Sequence, residues 1–322
     1  MTSPEIELSL VIPVYNEEEN LTELIARTTA ACDKLDCTTE IILVDDGSAD
    51  RSMDMIIEAS RKDPRIVGVI LTSNFGQHAA VTAGVQTSHG KYVVTLDADL
   101  QNPPEEIHKL LEKLREGYDV VGSIRENRKD TLFRKAGSKM VNLMVRKLCN
   151  GKTMTDYGCM LRGYSRNVVD AVLLCHENGK FIPMLAMSYA RKSVEVHVKH
   201  AERAAGESKY SVMKLIALQY DLLTGTSTFP LRLLTFFGFA IGFFGVIFGL
   251  FIFVRSQLDK DWGAYGTFAL FAIVFILIGG QFASMGLLGE YIGKIHLNSR
   301  ARPQFFIESI HRLNNTQPKE QE

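Results

Sequence analysis

The chain has 322 residues, of which 46% are hydrophobic and 23% are charged, and its formal net charge is -1. This length fits one large domain or two ordinary ones, and the balanced charge gives no reason to expect nucleic acid as a partner. The five cysteines form no C-x-x-C pair, which favours reduced thiols in a cytosolic compartment over a disulfide framework. No basic, apolar signal sequence opens the chain, so we expect its N-terminal part to stay in the cytoplasm.

Strands and helices are predicted to alternate in this N-terminal part. Apolar runs of strand length occupy residues 8–14, 40–44, 66–71 and 92–96. Segments with helical periodicity lie between them, up to about residue 35, at 52–61 and near 79–86. Strands separated by single helices predict a mostly parallel sheet with helices on both faces. Ligands of such sheets bind in the crevice at the carboxyl ends of the strands.

Acidic residues follow the fourth predicted strand. Asp97 and Asp99 form a D-x-D pair at its end, and Gln101 lies two positions later. Two carboxylates and an amide oxygen make a hard, oxygen-rich site suited to Mg²⁺ or Mn²⁺. Such a cation would bridge diphosphate oxygens and neutralise the charge that develops as a nucleotide leaves. The pair by itself is a weak motif, because two aspartates after a strand often only close a turn.

Polar residues also follow the first and second predicted strands. Tyr15-Asn16-Glu17 comes after the first strand, and Asp45-Asp46-Gly47-Ser48 ends the second. A carboxylate there can accept a hydrogen bond from a nucleobase N–H or a ribose hydroxyl, although Asp46 fits a turn with Gly47 equally well. No G-x-G-x-x-G follows the first strand, which argues against a dinucleotide-binding dehydrogenase.

Basic residues crowd the segment after the D-x-D pair. They are Arg125, Arg128, Lys129, Arg134, Lys135 and Lys139. Arginine matches phosphate geometry with paired donors, so some of these residues are candidates for holding a lipid phosphate near a membrane surface. Charge runs on helices are usually solvated, and we expect at least half of these residues to be solvated.

Two long uncharged stretches predict a membrane anchor. Residues 233–254 form a stretch of 22 residues and residues 267–289 one of 23, and a helix needs about 20 to cross the hydrocarbon core. Basic residues flank the pair on the outside, and Trp262 and Tyr265 lie in the connector. The positive-inside bias therefore places both termini in the cytoplasm and the connector outside. The preceding segment, 210–232, either lies along the membrane surface or packs on the soluble domain.

Several motifs together resemble a known family. The chain resembles the family 2 inverting glycosyltransferases with the GT-A fold in VIPVYNEEENL, ILVDDGSAD, NFGQHAAVTAG and TLDADLQNPPEEI. It is similar to the polyprenyl-phosphate glycosyltransferases of that family in GSIRENRKDTLFRK, TDYGCMLR and HAERAAGESKY, followed by two apolar stretches. It resembles the subgroup that transfers 4-deoxy-4-formamido-L-arabinose in FGQHAA, DYGCMLR and ARPQFF. The resemblance covers almost the whole chain, although Ser73 stands where we expect an arginine.

The resemblance implies roles for individual residues. The residues around the uridine would be Pro13, Tyr15, Glu17 and Asp45, with Asp97 nearby. The metal ligands would be Asp99 and Gln101, with Asp97 beside them. The residues around the diphosphate or the acceptor phosphate would be Arg125, Arg134, Arg203, Ser208 and Lys209. Asp156 would lie beside the sugar, so the catalytic candidates are Asp156, Asp99 and Arg203.

The resemblance also implies a reaction. A UDP-sugar would donate its sugar to undecaprenyl phosphate, in lipid A (lipopolysaccharide) modification and polymyxin resistance. The acceptor phosphate is largely dianionic at neutral pH because its second pKa is about 6, so it can attack without a protein base. Catalysis would then rest on positioning and on stabilisation of the departing diphosphate, with Asp156 orienting the sugar or stabilising positive charge. Two alternatives stay open: a bactoprenol glucosyltransferase using UDP-glucose, and a non-catalytic membrane protein that binds nucleotide-sugars.

The expected organisation combines these observations. Residues 1–209 form a cytoplasmic GT-A catalytic domain, 210–232 a juxtamembrane segment, and 233–289 two transmembrane helices with a short periplasmic loop. Residues 290–322 form a cytoplasmic tail, which is polar and expected to be frayed after about Ile310. The protein is thus expected to be a multi-pass protein of the bacterial inner membrane, in contact with membrane lipid. Whether it forms a homo-oligomer stays open.

Overall fold

The computed structural model describes residues 6–125, 154–155, 159–175, 182–199, 229–258, 263–299, 303–313 and 315–317. The chain divides into two compact units. The first unit contains Met1–Ser208 and Arg302–Glu322, and the second contains Lys209–Ala301. The second unit is therefore inserted in the sequence between the two segments that make up the first unit.

Strands and helices alternate in the N-terminal part of the first unit, as predicted. In chain order they are β1 (Leu8–Val14), α1 (Glu18–Asp33), β2 (Thr39–Asp45), α2 (Ser52–Lys62), β3 (Ile66–Leu71), α3 (Gln77–Thr87), β4 (Tyr92–Thr95) and, after a 3₁₀ turn at Pro104–Glu106, α4 (Ile107–Arg115). Every residue of β1, β3 and β4 is buried. Strands covered on both faces consist of continuous apolar runs rather than alternating ones, which is why these strands were recognisable in the sequence.

Further elements complete the first unit. They are β5 (Val120–Arg125), β6 (Arg162–Ser165), α5 (Arg166–Leu173), α6 (Ile182–Tyr189), β7 (Ser193–Val198), β8 (Ile307–Arg312) and β9 (Asn315–Gln317). The strands of the described residues form one sheet in the order β7-β5-β6-β4-β1-β2-β3-β8-β9. Strands β1, β2, β3 and β4 pair in parallel, and so do β5 and β7, whereas β6 runs antiparallel to both β4 and β5. The predicted mostly parallel sheet is confirmed for its central strands.

Helices cover both faces of the sheet. On one face, α1, α2 and α4 contribute side chains to a buried cluster with β1, β2 and β4. On the other face, α3, α5 and α6 pack against the same strands and β3. In α4 the buried residues recur at helical spacing, at Ile107, Leu110, Leu111 and Leu114, so one stripe of this helix faces the core. The sheet is therefore packed between two apolar layers.

The register brings several strand ends to one edge. Val14 pairs with Asp45, and Val11 pairs with Thr95, so β1, β2 and β4 end near one another. Thr95 also pairs with Arg162, the first residue of the antiparallel β6. The chain just before Arg162 therefore enters the sheet from the edge at which β4 ends. We call this edge, formed by the carboxyl ends of β1, β2 and β4, the strand-end edge.

The C-terminal segment contributes two strands to the sheet. We expected a frayed end after about Ile310, but β8 pairs antiparallel with β3 and β9 pairs with β8. Without β8, the hydrogen-bonding edge of β3 would be left open, and such an edge is a liability in a folded protein. Ile307 is the one buried residue of β8, which agrees with the mostly polar sequence of this segment.

The second unit contains the two predicted apolar stretches. They lie in α7 (Phe229–Leu258) and α8 (Gly263–Ser299). Among the described helices, the stretch Leu233–Phe251 of α7 is long and apolar enough to cross a membrane, with a mean hydropathy of 2.3. Residues 267–289 are helical within α8, and their membrane insertion stays a prediction. Most of the juxtamembrane segment 210–232 lies outside the described residues.

Candidate functional site

Asp45 presents an unused acceptor at the strand-end edge. It is the last residue of β2 and is almost completely buried. Its Oδ2 accepts a hydrogen bond from the Ser48 backbone N–H at 3.2 Å, whereas its buried Oδ1 has no hydrogen-bond partner among the described residues. Burial raises the pKa of Asp45, although hydrogen bonding from Ser48 and from the Gly47 backbone acts in the opposite direction. A buried acceptor without a partner is costly in a native protein, so Oδ1 is suited to a donor group on a ligand.

Asp46 has a structural role instead. Its two carboxylate oxygens accept the backbone N–H groups of Phe75 at 2.8 Å and Gly76 at 2.9 Å. These bonds tie the loop after β3 to the turn after β2. Gly47 makes that approach possible: its φ is +68°, and a Cβ there would lie 2.5 Å from the Ser73 carbonyl carbon. The Asp46 carboxylate is therefore occupied by the loop after β3, and its bonds are neither those of a local turn with Gly47 nor those to a nucleotide.

The segment after β1 lies against the same turn. Asn16 adopts a left-handed φ of 53°. Its backbone N–H donates to Ser48 Oγ at 3.0 Å, and its side-chain oxygen accepts from Ala49 N–H at 2.8 Å. The neighbouring Tyr15 is 49% exposed and Glu17 is half-buried. The exposed ring therefore lies at the rim of the strand-end edge, near Asp45 in the fold.

Pro13 lies inside the sheet next to the strand-end edge and is not exposed there. It is buried in β1 and pairs with Val44 of β2. Since it precedes the exposed Tyr15 by two positions, it lies one step below the end of the strand. Proline has no backbone N–H to donate. The residue after it, Val14, accepts the Asp46 N–H at 2.9 Å through its carbonyl, which joins the ends of β1 and β2.

The D-x-D pair occupies the edge beyond β4. Asp97 Oδ1 accepts a hydrogen bond from Gln77 Nε2 at 2.7 Å, and Asp99 Oδ1 accepts the Gln101 backbone N–H at 3.1 Å. Between Asp99 and Gln101, Leu100 adopts a left-handed φ of 59°. Burial and the neighbouring Asp99 raise the pKa of Asp97 to about 7, although Gln77 acts in the opposite direction. The edge thus concentrates negative charge in poorly solvated surroundings.

The chemistry of these residues fits a divalent cation. Burial and the nearby charge of Asp99 disfavour the charged form of Asp97, and a cation beside the pair would offset that cost. Among the described residues, no three His, Cys, Asp or Glu side chains form a metal-binding group. A cation held by Asp97 and Asp99 would need further oxygen ligands, for which the predicted Gln101 amide, water and a bound ligand are suited.

Arg125 brings positive charge to the same edge. It is the last residue of β5 and is half-buried. Its charge lowers the pKa of Asp97, which opposes part of the effect of burial. The other predicted phosphate and catalytic residues lie outside the described residues: Arg134, Asp156, Arg203, Ser208 and Lys209. The structure therefore brings together the nucleotide, metal and Arg125 candidates and leaves the others as predictions.

Gln77 was not identified from the sequence as a site residue. It is the first residue of α3 and reaches Asp97 from the loop after β3. The rule that predicted the other site residues applies to it as well, because the start of a helix that follows a parallel strand lies at the carboxyl edge of the sheet. The sequence pattern did not indicate Gln77, because its side chain is uncharged and it does not directly follow a strand.

Comparison with protein families matches this chain to the model described as Glycosyl transferase family 2, over residues 9–173. The chain is 52% identical over 317 residues to an undecaprenyl-phosphate 4-deoxy-4-formamido-L-arabinose transferase from Edwardsiella ictaluri (strain 93-146), with 98% of this chain and 97% of the relative covered. A protein of the same name from Pectobacterium carotovorum subsp. carotovorum (strain PC1) is 54% identical over 303 residues, covering 94% of this chain and 92% of its own length.

A solved structure shares the fold over about two thirds of this chain. Glucosyl-3-phosphoglycerate synthase from Mycobacterium tuberculosis, in complex with Mn²⁺, UDP-glucose and phosphoglyceric acid, superposes with a TM-score of 0.51 at 17% identity. The match covers 69% of this chain and 78% of the synthase. At this identity the likeness supports the fold alone, and the predicted GT-A fold is confirmed.

Proposed function

The chain belongs to glycosyl transferase family 2, and we propose that it transfers 4-deoxy-4-formamido-L-arabinose from a UDP donor to undecaprenyl phosphate with inversion. The observation that carries this proposal is the identity of 52% to 54%, over nearly the full length, to transferases named for that sugar and that acceptor. The strand-end edge supports it, because a nucleotide-diphosphate donor needs both a base-binding acceptor and a metal-binding pair of carboxylates.

Asp45 and the D-x-D pair would bind different parts of the UDP-sugar. Asp45 Oδ1, which is buried and has no donor in the part of the chain that the structure describes, would accept a hydrogen bond from the uracil N–H or a ribose hydroxyl. Asp97, Asp99 and Gln101 would hold Mg²⁺ or Mn²⁺, which supplies positive charge to the departing diphosphate. Gln77 holds Asp97 Oδ1 and so fixes the orientation of that carboxylate.

The chemical step is a single in-line displacement. An oxygen of the acceptor phosphate, already largely dianionic because its second pKa is about 6, forms a bond to the anomeric carbon. The bond from that carbon to the UDP oxygen breaks, and its electron pair stays on the diphosphate. No proton has to move to a protein base. Arg125 with Arg134, Arg203, Ser208 and Lys209 would hold the phosphates, and Asp156 would orient the sugar.

The second unit would anchor the enzyme in the bacterial inner membrane. The chain leaves the first unit before α7 and returns to it after α8, where β8 joins the same sheet. Two membrane spans between these points return the chain to the side from which it left. The catalytic unit and both termini would then be cytoplasmic, and the product would serve lipid A modification and polymyxin resistance.

A product assay tests the proposal. Purified protein would be given undecaprenyl phosphate with each of several UDP-sugars, with and without Mn²⁺, and the lipid product identified by mass. We expect a lipid that carries the formamido sugar and UDP release that requires both metal and lipid. A glucosyl lipid formed from UDP-glucose would instead support the glucosyltransferase. No lipid-dependent UDP release from any donor would support a nucleotide-sugar binding protein.

A further inference from the structure

Glu195 uses both oxygens of its carboxylate on a single residue. It lies in the middle of β7, the outermost strand on its side of the sheet. Its Oε1 accepts the Thr155 backbone N–H at 2.6 Å, and its Oε2 accepts the Thr155 hydroxyl at 2.7 Å. A carboxylate is an acceptor only, and two donors on one residue match its two oxygens. Such charge-assisted bonds are stronger than neutral ones.

The sheet leaves room for this contact at Gly122. This residue of β5 pairs with Glu195 in the parallel ladder. A Cβ on Gly122 would lie 3.1 Å from Met154 Sδ and 3.3 Å from Glu195 Cγ. The missing side chain therefore lets Met154 lie directly against β5, beside Thr155. Residues 154–155 are seated on the sheet by shape as well as by hydrogen bonds.

Arg162 holds the chain on the other side of residues 156–158. It is 1% exposed, and its Nε donates to the Cys159 carbonyl at 2.7 Å while its Nη1 contacts Met154 Sδ at 3.0 Å. Ser123 Oγ adds a hydrogen bond to the Leu161 carbonyl at 2.7 Å. The described residues on both sides of 156–158 are thus fixed to β5, β6 and β7, close to the edge at which β4 ends.

We propose that Glu195 is a positioning residue for the transfer reaction, which acts by fixing Thr155, the residue next to Asp156 in the chain. This inference rests on the proposed function, which gives Asp156 its place beside the sugar. Glu195 itself touches no substrate. Through its two bonds, Glu195 fixes Thr155, and Thr155 directly precedes the residue that would orient the reacting sugar. A misplacement of about 1 Å at such a residue can lower the rate by about a hundredfold.

Two substitutions at Glu195 separate positioning from charge. In Glu195→Gln the amide oxygen still accepts the Thr155 N–H, and the amide nitrogen can donate to the hydroxyl oxygen. In Glu195→Ala both bonds are lost. We expect Glu195→Ala to lower kcat by about tenfold to a hundredfold, with the Kd for UDP, measured by calorimetry, changed less than about twofold. We expect Glu195→Gln to restore most of kcat.

A substitution at Thr155 tests the route of the effect. Thr155→Val removes the hydroxyl and keeps the shape, so kcat should fall in the same direction as in Glu195→Ala. The double variant should be no worse than Glu195→Ala alone, because residues that act through one contact are not additive. Glu308→Ala is the matched control, since Glu308 is an exposed strand carboxylate near the opposite end of the sheet order. Its kcat should equal that of the wild type.

The outcomes separate this inference from the proposed function. If wild-type protein shows no lipid-dependent UDP release, the proposed function fails before any variant is compared. If the wild type is active and Glu195→Ala retains full kcat, the positioning role is wrong. It is also wrong if kcat and UDP affinity fall together with the thermal stability, or if the double variant shows the product of the two single losses.

Discussion

At the scale of single residues, the adjacent Asp45 and Asp46 have different hydrogen-bonding roles. Asp45 keeps a buried oxygen with no donor among the described residues, while both oxygens of Asp46 accept hydrogen bonds from the backbone N–H groups of Phe75 and Gly76. Burial raises the pKa of both carboxyls. The unsatisfied group costs stability in the free protein, and a ligand donor would offset that cost on binding. Functional sites commonly carry such local costs.

Asp45→Asn should weaken UDP binding without weakening the fold. The Ser48 N–H selects the amide oxygen of the new side chain, which leaves its NH₂ group facing the donor group of the ligand. We expect the loss of a hydrogen bond to a charged group, about 1.5–3 kcal/mol, or about tenfold to a hundredfold in Kd by calorimetry. The melting temperature of the ligand-free protein should equal or exceed that of the wild type. A clear drop in that temperature would contradict the assignment of Oδ1 as unsatisfied.

Asp45 should also make the ligand-free protein less stable as the pH rises. Its folded-state pKa lies above the ordinary value of 3.8, so the folded state binds more protons than the unfolded state between those two values. The free energy of unfolding therefore falls as the pH rises through this window. The difference in melting temperature between Asp45→Asn and the wild type should grow as the pH rises above 3.8. A difference that is constant with pH would exclude this effect.

At the scale of elements, two loops define the strand-end edge by lying against each other. The turn after β2 and the loop after β3 meet at Gly47 and Ser73. The approach is so close that a Cβ added to Gly47 would lie 2.5 Å from the Ser73 carbonyl carbon. Asp46 reinforces this contact through Phe75 and Gly76. The next residue, Gln77, begins α3 and bonds to Asp97, so the same contact links the nucleotide and metal candidates.

Gly47→Ala should separate the two loops. Both Gly47 and Gly117 have a positive φ, of +68° and +90°, but a Cβ on Gly117 would meet no atom within 4 Å. Gly117→Ala therefore measures the cost of the backbone conformation alone, about 1–3 kcal/mol. We expect Gly47→Ala to cost about 1–3 kcal/mol more because of steric overlap, and to weaken UDP binding, which Gly117→Ala should not do. Equal melting temperatures for the two variants would show that the loops can move apart freely.

At the scale of the whole molecule, the C-terminal strands β8 and β9 belong to the first unit. The chain passes through the second unit and comes back to extend the sheet beyond β3. The Phe306 carbonyl accepts the Thr72 N–H at 3.1 Å, so the returning chain also holds the start of the loop after β3. Ile307 contributes to the apolar layer on one face of the sheet. The last strands are therefore structural parts of the unit that carries the site.

Ile307→Ala should destabilise the first unit. The side chain is 9% exposed, and truncation of a buried isoleucine to alanine costs about 2–5 kcal/mol. Hydrogen-exchange mass spectrometry of peptides that cover β3 would report the loss as faster exchange. Leu313→Ala, at a residue that is 44% exposed just after β8, is the control and should change exchange little. Unchanged exchange in Ile307→Ala would mean that β3 does not depend on the returning strand.

The sequence by itself determined the central strands and helices, the acidic groups at their ends and the apolar stretches, because each of these is a local pattern of periodicity or composition. Only the tertiary structure decided which acidic oxygen is free at Asp45 and which are taken at Asp46, since their partners Phe75 and Gly76 lie in another loop. It likewise decided that Ile307–Arg312 is a strand and that Glu195 holds Thr155. The physical reason is that the partner of a polar group or an open strand is set by the order of strands in the sheet, which brings together residues far apart in the chain.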